Sequence, residues 1–181
     1  MEPINQDIKP KNRNRGNRKS PGAAICSALG SFLLIALIAL CLPLTAPKAF
    51  GYHIYTVISG SMEPAVPVGS LVYIESVEPE DVAEGDVIAF YSAEDQASII
   101  THRVVENRVL MGEFITKGDA NRTQDMNPAP YANFIGIVRL TAPHVGRIAQ
   151  VLTSTAGKIA AACAVAAAVL FHIAAAVLDR R

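Results

Sequence analysis

Four short segments carry residue types that can do acyl-transfer chemistry. The first is SGSMEP at residues 59–64, directly after a β-branched run. Ser61 stands where a predicted strand yields to a proline-bounded turn, which presents a hydroxyl on a rigid element. Gly60 has no side chain, so a substrate backbone can approach closely. Ser59 supplies a second hydroxyl two residues away, and together with the Ser61 N–H it is a candidate oxyanion hole. Taken alone, the hexapeptide also reads as an ordinary Ser/Gly turn. The second segment is THRVV at 101–105, where His102 on a predicted strand can take the Ser61 proton as a neutral imidazole. A single strand histidine is more often structural. His53 and His144 are rival bases, but neither sits in a strand beside a candidate nucleophile. The third segment, KGDANRTQD at 117–125, holds Asp119 and Asp125. A Ser–His pair needs such a carboxylate to hold the imidazole tautomer and to stabilise the imidazolium. The fourth, GDVIAF at 85–90, carries no obvious chemistry and reads as a core strand entered by a turn.

These residues need a scaffold, and the middle of the chain reads as β-rich. Predicted strands are IYTVI at 54–58, LVYI at 71–74, DVIAFY at 86–91, SIITHRVV at 98–105, RVLMGEFIT at 108–116 and NFIGIVRL at 133–140. Glycine and proline fall between them, at Pro64, Pro67, Gly69, Pro79, Gly85, Gly118, Pro128 and Pro130. Short strands with frequent turns argue a small barrel or folded sheet, not a βαβ unit. Residues 144–156 are expected to form a short helix.

Both ends of the 181-residue chain are apolar, and 51% of all residues are hydrophobic. Residues 22–42 run GAAICSALGSFLLIALIALCL without a charge, long enough to cross the ~30 Å of a bilayer's hydrocarbon core. Pro43 and Pro47 are expected to mark the exit of this span. A cleaved secretory signal is the rival reading, but the apolar stretch exceeds the usual ~7–15 residues and no clean small-x-small site follows. Residues 159–178 form a second, Ala-rich stretch with His172 as its only polar side chain. Without a hydrophilic face it favours a second membrane helix. Lys9, Lys11, Arg13, Arg15, Arg18 and Lys19 precede the first span, and Arg180 and Arg181 follow the second. A basic tail can bind nucleic acid, but one set directly before an apolar run reads as a topology signal instead. Both ends are therefore expected on the cytoplasmic side. The expected division is a basic disordered tail at 1–20, a transmembrane helix at 21–47, an extracytoplasmic catalytic domain at 48–156, a second transmembrane helix at 157–178 and a short tail at 179–181. Cys26, Cys41 and Cys163 all lie in the apolar ends, so no disulfide framework and no ligand-spaced metal site is expected. The chemistry itself calls for no cofactor.

SGSMEP, GDVIAF, THRVV and KGDAN, in this order, resemble the boxes of type I signal peptidases. More narrowly they are similar to the archaeal and endoplasmic-reticulum branch, in which histidine stands where most bacterial members have lysine. The resemblance spans about residues 50–140. It implies a mainly β, barrel-like catalytic domain flanked by two transmembrane helices and working at the membrane surface. It implies a serine endopeptidase that cuts signal peptides from exported preproteins after small residues. By motif position Ser61 is then nucleophile, His102 general base and Ser59 an oxyanion contributor, while Met62 and Pro64 flank the small-residue pocket. The resemblance also matches a pair of aspartates six residues apart, Asp119 and Asp125. Asp119 follows Gly118 at a strand end and suits a turn. Asp125 lies in a loop able to fold back over the His102 strand, so Asp125 is expected as the third member and Asp119 as its support. One departure is Ala120, where the family often has asparagine. The expected partners are signal peptides, the lipid bilayer and, in that role, the secretion machinery; nucleic acid is not expected.

Two other functions compete. An inactive membrane scaffold could bind exported chains, but it has no need of Ser61, His102, Asp119 and Asp125 together. A self-cleaving regulator predicts a DNA-binding module ahead of the protease, where this chain has a basic tail and an apolar run.

Overall fold

The computed structural model of the protein describes residues 20–95 and 97–180. The basic residues expected to set topology at 9–19, and Arg181, lie outside the described residues.

Two long helices flank a β-domain. Helix α1 covers Pro21–Ala49 and starts from Ser20, whose Oγ accepts the Ala23 N–H at 3.2 Å, with Pro21 preset for the first turn. Helix α3 covers Thr155–Asp179 and starts from Ser154, whose Oγ accepts the Gly157 N–H at 3.1 Å. The two pack side by side through small residues. A Cβ on Gly30 would stand 2.3 Å from His172 Nδ1, so only glycine admits that imidazole. His172 Nδ1 bonds the Ala168 carbonyl at 2.8 Å, and Nε2 lies 3.4 Å from Ser31 Oγ. The outward faces expose Ile25, Phe32, Ile35 and Ile38 on α1 and Leu170, Ile173 and Val177 on α3. Length and apolar surface make both candidate membrane spans. Cys26, Cys41 and Cys163 are free thiols.

Pro43 and Pro47, expected to mark the exit of the span, lie inside α1, which runs on to Ala49. A proline at position 47 deprives the Pro43 carbonyl of its helical N–H donor. The Tyr73 hydroxyl donates to that carbonyl at 3.2 Å, which ties the end of α1 to the sheet. Burial raises the Tyr73 phenol above its ordinary pKa and keeps it a donor.

Between the helices lie seven strands: β1 Tyr52–Thr56, β2 Leu71–Glu75, β3 Val87–Tyr91, β4 Ile99–Arg108, β5 Glu113–Lys117, β6 Ala129–Pro130 and β7 Phe134–Ala142. They form one antiparallel sheet in the order β1-β2-β7-β3-β4-β5-β6, curled into a half-barrel. Register shifts at Tyr73/Ile74, Ala89/Phe90 and Val104/Glu106 bend the strands and help the sheet curl. The small mainly β domain with two flanking helices is thus the architecture expected from sequence.

The central strands are covered on both faces, and the period of two divides their side chains. Ile88, Phe90, Val104, Phe114 and Ile137 fill one core. Met62, Val66, Val72, Ile74 and Ala89 fill another on the opposite face. Leu71 and Tyr73 turn away from Val72 and Ile74 to meet Ala149 and Val145 of α2, Val145–Thr153, together with Leu44 of α1. Phe114 has no exposed surface, and truncation to alanine there costs about 3–5 kcal/mol.

Two elements differ from expectation. The stretch 108–116 is not one strand: Arg108 ends β4, Val109–Met111 is a 3-10 turn, and Gly112 at φ 66° reverses the chain into β5. Val109, Leu110 and Met111 are apolar residues at an exposed hairpin tip, so apolar character there misstates conformation. The expected helix at 144–156 breaks at Ser154, which closes α2 and caps α3.

Candidate active site

The turn after β1 carries the candidate nucleophile. β1 stops at Thr56, and Val57 still anchors to the Ser70 and Gly69 backbone at 2.9 and 2.8 Å. The chain then turns through residues 60–66, pinned by Met62, which is 1% exposed within the second core. Ser61 is half-buried and Ser59 exposed, with their hydroxyls 3.4 Å apart. Both line a cavity of about 380 Å³ walled by Tyr55, Ile58, Met62, Val66 and Val72, with Ile99 and Thr101 of β4 on its far side. Burial raises the Tyr55 phenol, and neighbouring Tyr91 adds to the shift. Pro64 is exposed on the outside of the turn.

The Ser61 backbone is docked on the turn that follows β5. The Ala120 N–H donates to the Ser61 carbonyl at 2.9 Å. Gly118 makes this approach feasible, since a Cβ there would lie 2.6 Å from the Ser61 carbonyl oxygen. Ala120 acts here through its backbone N–H, which makes the bond independent of its side chain.

His102 sits on β4 facing the first core, 8% exposed, with Phe90 edge-on at 6.5 Å between ring centroids. Its Nδ1 lies 2.5 Å from Asp125 Oδ2. Asp125 is held twice by Thr116: Thr116 Oγ1 donates to Oδ2 at 2.6 Å, and the Asp125 N–H donates to the Thr116 carbonyl at 2.9 Å. His102 and Asp125 line a cavity of about 360 Å³ with Phe90, Ile100 and Met126.

Arg103, the next residue of β4, pairs with Asp119. Its Nε and Nη2 donate to the two carboxylate oxygens at 2.8 and 2.6 Å, while Nη1 donates to the Gly85 carbonyl at 2.7 Å. The guanidinium bond holds the Asp119 carboxyl below its ordinary pKa, against the opposing effect of burial. Asp119 in turn raises the Arg103 pKa.

The structure therefore brings His102 together with Asp125, and Ser61 together with Ser59 and the 118–120 turn. Among the described residues it does not join Ser61 to His102 by a hydrogen bond, and the two line different cavities. The rivals His53 and His144 are exposed and line neither cavity. Sequence reasoning missed Thr116, Arg103 and the Ala120 N–H. Arg103 had a usable signal, because strand alternation sends the residue after an inward histidine to the other face. No grouping of His, Cys, Asp and Glu suited to a metal ion occurs among the described residues.

No protein-family model matches the chain. Over 91 residues it is 37% identical to signal peptidase I W of Bacillus subtilis (strain 168), a match covering 48% of this chain and 46% of that protein. Over 109 residues it is 28% identical to the signal peptidase complex catalytic subunit SEC11C of Homo sapiens, covering 55% of this chain and 56% of that one. The same values hold for SEC11C of Mus musculus. The chain spans about half the length of the curated relatives it matches. It is thus homologous, at low to moderate identity, to bacterial and eukaryotic signal peptidases, and its buried His–Asp pair is consistent with a hydrolase site.

Proposed function

We propose that the protein is a membrane-bound serine endopeptidase that removes signal peptides from exported preproteins, in the Ser–His branch of the type I signal peptidases. The observation that carries this reading is the His102–Asp125 pair. With Nδ1 engaged by a carboxylate, Nε2 is left as the nitrogen able to accept a proton. Ser61 Oγ attacks the scissile carbonyl and passes its proton to Nε2. Asp125 holds the tautomer and stabilises the resulting imidazolium. The Ser61 N–H and the Ser59 hydroxyl stabilise the developing oxyanion. His102 then protonates the leaving amine, and water, deprotonated by His102, releases the acyl group.

Ser61 and His102 must close to hydrogen-bond distance in the substrate complex, as catalytic contacts that are long in free enzymes commonly do. The bond between the Ala120 N–H and the Ser61 carbonyl supports this by tying the nucleophile turn to the loop that also carries Asp125, the partner of His102. The half-buried Ser61 beside Met62, Val66 and Val72 suits a small substrate side chain. The homology to proteins named as signal peptidases supports the substrate class. The basic residues outside the two spans put both termini on the cytoplasmic side and the β-domain on the other.

A scaffold without activity remains the second reading, because the Ser61 hydroxyl meets Ser59 and not His102. One experiment separates the two. The full chain in detergent micelles is incubated with a labelled preprotein, and the new N-terminus is sequenced. Cleavage after a small residue by the wild type, abolished in Ser61→Ala with folding intact, is the expected result. Equal activity in both proteins would sink the serine mechanism, and binding without cleavage would establish the scaffold.

A further inference from the structure

We infer that Thr116 is a positioning residue for His102, acting through Asp125. This rests on the reading of His102 and Asp125 given above. Thr116 lies on β5 opposite Val104 of β4, one of its Cα partners. Alternation puts Phe114 and Thr116 on the face that also carries His102 and Val104. Thr116 is 1% exposed, so its hydroxyl is out of reach of bulk water and needs a partner within the protein. That partner is Asp125 Oδ2, the same oxygen that meets His102 Nδ1.

Asp125 needs this help because of where it stands. Arg122, Thr123, Gln124 and Met126 around it are exposed, and Met126 has 97% of its surface free. Loop packing alone therefore leaves the carboxylate free to rotate and to present either oxygen. Thr116 removes that freedom at two points. Its carbonyl fixes the Asp125 backbone, and its hydroxyl fixes which carboxylate oxygen faces the imidazole. A hydroxyl bonded to a charged acceptor contributes more than a neutral bond does. The buried strand, not the exposed loop, thereby sets the orientation of His102.

The test uses the full chain in detergent and compares Thr116→Val, Thr116→Ser, Asp125→Asn and the double variant Thr116→Val/Asp125→Asn. Valine keeps the shape and deletes the donor. The expected result for Thr116→Val is a fall in kcat of about 10- to 100-fold with KM within about twofold, beside a modest drop in melting temperature for the lost buried bond. Serine restores the donor and recovers most of the turnover. In the Asp125→Asn background the valine substitution has no further effect, because the two act as one unit. Should Thr116→Val fail to fold, Thr116→Cys, a poor donor of similar size, carries the same comparison. If Asp125→Asn is slow while a folded Thr116→Val turns over at the wild-type rate, Thr116 only satisfies its own hydroxyl and this inference falls alone. If Ser61→Ala or Asp125→Asn keeps full activity, the catalytic reading falls and takes this inference with it.

Discussion

His102 and Arg103 are consecutive residues of β4, and strand alternation sends them to opposite faces. Each finds an aspartate supplied by one loop, Asp125 for His102 and Asp119 for Arg103. The pairs look alike on paper and differ in chemistry. An arginine keeps its proton throughout, so the Arg103–Asp119 pair can hold geometry and nothing else. A histidine can gain and lose a proton near neutral pH, so the His102–Asp125 pair can take part in proton transfer. Burial follows the same division: the His102 side chain is 10% exposed and that of Arg103 is 37% exposed. An aspartate's partner, not its place in a motif, thus decides what the carboxylate can do.

The comparison can be broken most directly at Asp125. We expect Asp125→Asn to lower kcat by up to about 10⁴-fold with little change in melting temperature, since the imidazole keeps a neighbour but loses tautomer control. Turnover and thermal unfolding of the same preparation check both halves. A near-normal Asp125→Asn beside a stable, inactive Asp119→Asn would exchange the two roles.

Ser59→Ala is expected to cost about 100-fold in kcat, the scale for loss of one oxyanion donor. Steady-state kinetics on the labelled preprotein measure it, and a loss larger than that of Ser61→Ala would reverse the assignment of the two serines. Gly118→Ala reports on the support for the nucleophile turn. Its Cβ would press on the Ser61 carbonyl from 2.6 Å and displace the turn. Reduced activity and a lower melting temperature are expected together, and unchanged values in both would show that this contact does not position Ser61.

The smallest effect is expected at Asp119, and it depends on pH. Its carboxyl titrates lower in the folded protein than its ordinary value of 3.8. The Arg103 pair therefore stabilises the fold fully above that value and stops doing so as pH falls through the lower folded value. Melting curves of the wild type should drop more steeply on acidification in this range than those of Asp119→Asn. Parallel curves would remove the pair from the stability account. At neutral pH Asp119→Asn should melt slightly below the wild type, and salt should shrink the difference, because Arg103 is partly exposed.

The two apolar helices and most of the strands were legible in the sequence for a local reason. An uncharged run such as 22–42 has no polar face to show water, and alternating β-branched runs such as 98–105 suit a half-buried strand whatever they pair with. The same local reading failed at Val109–Met111, where apolar residues cap an exposed hairpin, and it gave no sign that the Tyr73 hydroxyl would serve the Pro43 carbonyl that the helix leaves open. The site was legible as a set of chemical types, Ser61, His102 and two aspartates, with Asp125 expected beside His102, but the Arg103–Asp119 and Thr116–Asp125 contacts were not. Pairing was decided by strand register and loop return. His102 meets Asp125 across 23 positions of sequence, Arg103 meets Asp119 across 16, and Thr116 meets Asp125 across 9. Local propensity carries no information about such distances, because it depends only on neighbours along the chain. Only once β4, β5 and the loop after them are folded together does each carboxylate come within reach of its partners.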